Sequence, residues 1–219
     1  MTIELSIFTN CINTAPSIAI IKKTYESFVE TFGEIPYKIY LDPHPNEAAY
    51  PEYKKNLEKY FKGAVIIPTT GLSDGYKKSI RESGADYLFQ LEHDWSFVTP
   101  LIGHSLQEIM ETMTAEGIYH FRFSKHENRL HPDLLKWQTI MTAKECRRTG
   151  IRYCETDNLS NNPHIIDRRK YLGFLDRILT RTGARGIEEN LTKKGLVGCQ
   201  YGGLNYPPTI KHLQGRKQI

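Results

Sequence analysis

The sequence predicts an α/β domain built on a central, mostly parallel sheet flanked by helices, followed by an irregular C-terminal region. Two observations carry this. Short β-branched and apolar runs alternate with stretches whose apolar residues recur at three- and four-residue spacing. One of those runs, Tyr87-Leu88-Phe89-Gln90-Leu91, ends in two carboxylates, Glu92 and Asp94, separated by one residue. Strands joined by helices of this length pair in parallel through right-handed crossovers, and ligands bind outside the carboxyl ends of such strands.

Ile3 to Phe8 reads as the first, central strand, closed by the polar turn Thr9-Asn10-Cys11-Ile12-Asn13. Ile18, Ile21, Tyr25, Phe28, Val29 and Phe32 then repeat with helical spacing, with Pro16 near the start and Gly33 past the end. A second strand, Tyr37 to Leu41, stops at Asp42 and the stiff Pro43-His44-Pro45. A helix over Ala48 to Phe61 ends at Gly63, and Ala64 to Pro68 is a short buried strand. Ser73 or Asp74 caps a third helix that Gly84 closes, and the strand toward Glu92 follows. Beyond it, Leu101 to Met113 reads as a helix and Ile118 to Phe123 as a strand. Gly186 to Lys194 suits a short helix, and the Gly-, Pro- and base-rich tail from Gly198 to Ile219 reads as a loop or flap outside the sheet.

The chain has 219 residues, enough for one sizeable domain, divided here into a first half, residues 1–97, and a second half with its tail, residues 98–219. The formal charge of +4 is mild and no block of like charge occurs, so charge alone does not point to nucleic acid. Cys11, Cys146, Cys154 and Cys199 are too scattered for a disulfide framework or a zinc site, which suits free thiols in a reducing compartment. The N-terminus lacks a basic region followed by an apolar one, and no run of about eighteen apolar residues occurs. A soluble, cytoplasmic protein is expected.

Side chains two apart on an extended strand leave the same face, so Glu92 and Asp94 can converge on one cation while His93 points away. Two oxygen ligands with positions to spare suit Mg²⁺ or Mn²⁺, which share their shell with water and substrate phosphates. The competing explanation is that acids after a strand simply start a loop or cap a helix. Thr9-Asn10, Asp42 and Thr69-Thr70-Gly71 fall at the same ends of their strands. The phosphate loop Gly-x-x-x-x-Gly-Lys-Ser/Thr, the dinucleotide turn Gly-x-Gly-x-x-Gly and the hydrolase elbow Gly-x-Ser-x-Gly are all absent. His126 and His131 are five apart and cannot share a helix face as zinc-hydrolase ligands do.

Taken together, the first hundred or so residues resemble the nucleotide-binding half of GT-A glycosyltransferases, the inverting polysaccharide-synthase type in particular. Ser6-Ile7-Phe8-Thr9-Asn10 is similar to that family's opening strand and turn, and Gly71-Leu72-Ser73-Asp74 to its Gly-led helix. Gly84-Ala85-Asp86-Tyr87 enters the metal strand, and Glu92-His93-Asp94 stands at the Asp-x-Asp position. Gly186-Ile187-Glu188-Glu189 resembles the acidic pair that supplies the catalytic base, and His212 a C-terminal histidine of the metal site. The chain departs in having Glu for the first Asp of the metal motif, Glu-Glu for Glu-Asp, and Pro after Asp42.

The resemblance implies a Mn²⁺- or Mg²⁺-dependent enzyme that moves a sugar from a nucleotide diphosphate sugar, a UDP-sugar, to a hydroxyl acceptor with inversion. Glu92, Asp94 and His212 would serve the metal. Thr9, Asn10, Asp42, Gly71 and His93 would serve the donor, with Lys77 and Arg81 either near its diphosphate or on a solvated helix face. Glu189 is the aligned base and Glu188 its alternate, unless both acids merely complement a helix N-terminus. Trp95 either stacks on a sugar or belongs to the core. A glycan, a lipid-linked sugar, a protein and a modified DNA base all offer the hydroxyl required. Two other readings remain: a sugar nucleotidyltransferase, whose Gly-rich basic loop Thr9 to Pro16 lacks, and a non-catalytic module gripping a polyanion through Lys211, Arg216 and Lys217.

Overall fold

A computed structural model describes residues 1–12, 14–130, 140–157, 159–173, 175 and 198–213. Four strands open the chain, β1 (Ile3–Cys11), β2 (Tyr37–Pro45), β3 (Val65–Pro68) and β4 (Tyr87–Glu92). They are joined by the helices α1 (Ala19–Phe32), α2 (Tyr50–Tyr60) and α3 (Leu72–Glu82). The spacing predicts each of these elements, but β1 runs on through the expected turn to Cys11, β2 runs on through Pro43 to Pro45, and β3, expected to be buried, is an edge strand with Val65 exposed. The four strands pair in parallel in the order β3-β2-β1-β4. There follow β5 (Trp95–Phe97), α4 (Leu106–Ala115), β6 (His120–Arg122), β7 (Met141–Glu145), β8 (Arg152–Thr156), β9 (His164–Asp167) and α5 (Arg168–Leu172). β10 (Gly198–Tyr201) and β11 (Ile210–His212) complete the described elements. The main sheet has nine strands in the order β3-β2-β1-β4-β9-β6-β10-β8-β7; β9 runs against both its neighbours, and the sheet is mixed from there on. The architecture is α/β, a large sheet flanked by helices.

β1 is covered on both faces, which explains its near-continuous apolar run. Leu5 and Ile7 belong to the larger core with Ile21 and Phe28 of α1, Leu57 of α2 and Phe89 of β4. Phe28 meets Phe89 edge-on at 5.0 Å. On the other face Phe8, Tyr40 and Leu88 pack with Tyr76 and Ile80 of α3. That approach needs Gly75: a Cβ there would lie 3.0 Å from the Phe8 ring. With glycine in place, Tyr76 stacks on Phe8 at a centroid distance of 4.4 Å.

Two expectations for the second half of the chain are corrected as well. The helix expected from Leu101 begins at Leu106, because Ser105 and Glu108 form a reciprocal capping box that fixes the start. The tail expected outside the sheet contributes two strands: β10 lies between β6 and β8 with all four residues buried, and β11 pairs with β5. Gly198 was a misleading signal there. It stands where a Cβ would collide with Leu159, so it marks close packing instead of a loop. The predicted helix over Gly186 to Lys194, and Arg216 and Lys217, lie outside the described residues. All four cysteines are buried and free. Among the described residues no helix is long and apolar enough to cross a membrane.

Candidate functional site

β1 reaches the rim of the sheet at Thr9 and Asn10. Phe8 is level with Tyr40 and with Glu92, and Asn10 is level with Asp42. The β1–β2 register then slips between Asn10 and Cys11, an irregularity of the kind that bends a strand and re-aims its side chains. Thr9 turns toward α2, where its hydroxyl shares a 2.7 Å hydrogen bond with the buried hydroxyl of Tyr53. Asp42 Oδ1 accepts the His44 amide at 3.0 Å.

The next turn enters α3 through Gly71, whose φ of +126° belongs to the part of the backbone map that favours glycine. Asp74 clamps this turn. It accepts the Thr70 amide at 3.0 Å and pairs with the Lys78 ammonium at 2.9 Å, which also donates to the Pro68 carbonyl at 2.7 Å. Thr69, Gly71 and Leu72 are thereby held at the rim.

β4 delivers the acidic pair. The His93 amide donates to the Phe8 carbonyl at 2.9 Å, and the Thr24 hydroxyl donates to the His93 carbonyl at 2.5 Å. With the backbone pinned from β1 and α1, Glu92 and Asp94 are half-buried while His93 is 8% exposed. Burial pushes the His93 imidazole below its ordinary pKa, against the opposing pull of the Asp94 carboxylate.

β11 brings in the last component. It runs antiparallel to β5 with His212 level with Trp95, and the Leu213 amide donates to the Asp94 carbonyl at 2.7 Å. His212 Nε2 stands 3.1 Å from Asp94 Oδ2. Trp95, 6% exposed and part of the core, meets the His212 ring edge-on at 4.7 Å.

These segments enclose a cleft of about 250 Å³. Asn10, Asp42, Thr69, Gly71 and Leu72 line it, together with Thr9, Ile12 and His93 and with Glu92, Asp94 and His212. Phe8 and Tyr40 line it too, stacked at 5.3 Å. The volume lies near the lower end for small-molecule clefts, which run from about 300 Å³ upward, and suits one ring system of a larger ligand.

Of the residues singled out in the sequence, Thr9, Asn10, Asp42, Gly71, Glu92, His93, Asp94 and His212 line this one cleft. Lys77 and Arg81 do not, because α3 starts at the rim and runs away from it, leaving Arg81 in the last turn. Glu188 and Glu189 lie outside the described residues. Sequence reasoning missed Phe8 and Tyr40, which look like ordinary core in a strand, and missed Tyr53 and Thr24, which hold Thr9 and His93 from behind. The His126-Glu127-Asn128 stretch is structural: the buried Asn128 amide donates to the Tyr201 and Gly202 carbonyls, at 2.8 Å each.

Among the described residues no three or more His, Cys, Asp or Glu side chains are grouped to hold a metal ion by themselves. The fold gathers a pair, Asp94 and His212, with Glu92 in the same cleft. One carboxylate and one imidazole that already converge fit a cation that takes its remaining ligands from water and a diphosphate.

No protein-family model matches the sequence, and no curated protein matches it. The fold, with its large mixed sheet flanked by helices, is consistent with a GT-A-like domain. A solved structure it is similar to is that of S. aureus TarS 1-349 in complex with UDP-GlcNAc, at a TM-score of 0.53 and 9% sequence identity. The match covers 100% of this chain and 60% of the TarS chain. At that identity the likeness concerns the fold.

Proposed function

We propose that the protein is a cytoplasmic, metal-dependent glycosyltransferase that moves a sugar from a nucleotide diphosphate sugar, a UDP-sugar, to a hydroxyl acceptor with inversion. The observation that carries this reading is the convergence of Asp94 and His212 in one cleft with Thr9, Asn10 and Asp42, at the carboxyl rim of the parallel strands. It is supported by the GT-A-like fold and by the UDP-GlcNAc complex of the similar TarS structure.

In this reading the base of the nucleotide lies beside Thr9, Asn10 and Asp42, and its diphosphate reaches the cation at Asp94 and His212. A bound Mn²⁺ or Mg²⁺ would neutralise the charge that grows on the leaving nucleotide diphosphate. Glu92, Asp94 and His212, which line the same cleft, would hold it. Tyr53 and Thr24 keep the nearby backbone and Thr9 in place before the ligand arrives, so that little reorganisation is left for the reaction. Inversion requires a carboxylate that takes the acceptor's proton as attack proceeds; Glu189 is assigned to it, and Glu188 is the alternate.

The test is release of nucleotide diphosphate from a panel of UDP- and GDP-sugars with Mn²⁺ and candidate acceptors: a glycan, a lipid-linked sugar, a protein and hydroxymethylated DNA. Metal-dependent release that an acceptor stimulates and Glu189→Gln abolishes supports the proposal. Salt-sensitive binding of a polyanion with no metal requirement and no turnover would replace it with the binding-module reading.

A further inference from the structure

Lys125 is the first exposed residue after β6, and the backbone that carries it is tied down on both sides. The Ser124 amide donates to the Thr209 hydroxyl at 3.0 Å, and the Ser124 carbonyl accepts the Thr209 and Ile210 amides at 2.8 and 3.2 Å. Three residues further on, the backbone amide of the buried Asn128 donates to the Tyr206 carbonyl at 2.9 Å. From this fixed segment the Lys125 ammonium reaches over the Trp95 ring, 5.7 Å from its centre, and the Trp95 ring in turn meets His212 edge-on at 4.7 Å. The ammonium therefore stands no further from the imidazole than those two distances laid end to end. Among the described residues no carboxylate pairs with it; the neighbouring Glu127 is taken by Arg129 at 3.4 Å. An exposed lysine loses side-chain entropy when its ammonium is held in one place, and the contact with the indole face offsets part of that cost. A cation held in this way meets an anion with little further ordering.

We infer that Lys125 is a specificity-determining residue for the acceptor, and that the acceptor carries a phosphate close to the hydroxyl that attacks. Lys125 does not line the cleft, whose walls end at Asp94 and His212. In the donor reading, on which this inference rests, the base lies at Thr9, Asn10 and Asp42 and the diphosphate is neutralised by the cation. The Lys125 ammonium lies past His212 and Trp95, outside the donor's space, where the molecule that approaches the sugar has to pass. An ammonium that donates to a phosphate forms a charge-assisted hydrogen bond, stronger than the bond a neutral hydroxyl would make there. Of the acceptors considered above, a lipid-linked sugar and a modified DNA base carry such a phosphate beside their hydroxyls, whereas an uncharged glycan and a protein hydroxyl do not. Lys125 thus favours the first two over the others.

The experiment is NMR titration of the protein saturated with Mn²⁺ and whichever of UDP and GDP it binds. Two pairs of probes are used: glucose 1-phosphate against methyl glucoside, and a hydroxymethylated oligodeoxynucleotide against its free hydroxymethyl nucleoside. At least one phosphate-bearing probe is expected to bind about tenfold or more tightly than its neutral counterpart. Lys125→Gln is expected to remove that preference and Lys125→Arg to keep it, with nucleotide affinity the same in all three proteins. A preference seen only with the oligonucleotide assigns the phosphate to a nucleic acid backbone, and one seen only with glucose 1-phosphate assigns it to a sugar phosphate; either upholds the inference. Equal binding of charged and neutral probes, binding of neither, or a preference that survives Lys125→Gln would overturn it and leave the nucleotide-sugar proposal standing. So would a Lys125→Gln variant that loses only stability, the result expected of a lysine that merely shields the Trp95 ring. Failure of both nucleotides to bind would overturn this inference together with the reading it rests on.

Discussion

His212 Nε2 lies 3.1 Å from Asp94 Oδ2, so the last described strand of the chain closes onto the turn that follows β4. The contact depends on the β5–β11 pairing, on the Leu213 amide that bonds the Asp94 carbonyl, and on the Trp95 ring beside the imidazole. If the pair holds a cation, replacing His212 by Ala weakens metal-dependent nucleotide binding while leaving the main sheet intact. Loss of one metal ligand is expected to lower turnover by about a hundredfold or more, within the several kcal/mol attributed to such charge stabilisation. Turnover and Mn²⁺ titration of His212→Ala check this; His212→Gln is expected to recover only part of the loss.

Gly71 and Gly75 serve the rim in different ways. Gly71→Ala places a Cβ at φ +126° with open space around it, so its cost is backbone strain of about 1–3 kcal/mol, accompanied by weaker nucleotide binding as the α3 turn shifts. Gly75→Leu forces bulk between α3 and the Phe8 ring and is expected to destabilise the fold by about 1–3 kcal/mol. Urea midpoints of the two variants, with and without UDP and Mn²⁺, separate the effects.

Tyr53→Phe removes a single buried hydroxyl and leaves the Thr9 hydroxyl without that partner. The expected cost is about 1–2 kcal/mol of stability. Because Thr9 lines the cleft, donor affinity should fall in the same variant, and Thr9→Val in the Tyr53→Phe background should restore stability without restoring affinity. Chemical denaturation and nucleotide titration of the single and double variants check this.

A pH dependence is built into the second half of the sheet. His120 and His164 are buried and stacked at 4.4 Å, with Arg122 nearby. Burial chiefly, with Arg122 adding to it, pushes His164 down to about 4 from its ordinary 6.5, and burial and the adjacent His164 and Arg122 lower His120 in the same sense. Both folded pKa values lie below the unfolded ones, so the unfolded chain binds protons first as pH falls. Stability is therefore full above about pH 6.5 and declines from there toward pH 4. At pH 5 His164 alone is expected to account for a loss of about 2 kcal/mol relative to pH 7.5. Urea unfolding at the two pH values reads it, and His164→Phe should shrink the difference.

The parallel half of the sheet was legible because its inner strands β1, β2 and β4 bury residues on both faces and its helices repeat their apolar residues with helical spacing. Ile3 to Phe8, Tyr37 to Leu41 and the strand ending at Glu92 therefore announced themselves. β8, β9 and β10 did not, because their buried positions carry His164, Cys154, Gln200 and Gly198. Gln200 is satisfied by long-range bonds that no local pattern reveals, and His164 by the Asn162 carbonyl at 2.8 Å. Arg122 donates to Gln200 at 2.6 Å and to Ser160 at 2.9 Å, and Gln200 bonds Asn128. The cleft was legible in the same measure: Thr9, Asn10, Asp42 and Glu92 are strand ends. His212 is not, and only a resemblance between families pointed to it, since its place depends on β11 finding β5 across the chain.

The central claim is tested most directly by thermal shift of the wild type and Asp94→Ala with UDP, UDP-sugars and GDP, each with and without Mn²⁺. The account predicts a rise in melting temperature that needs nucleotide and metal together and disappears in Asp94→Ala, whose ligand-free melting temperature stays near that of the wild type. A nucleotide-induced shift of equal size without metal, or one that persists in Asp94→Ala, would contradict the assignment of Asp94 to a cation. No shift with any nucleotide would contradict the donor cleft itself.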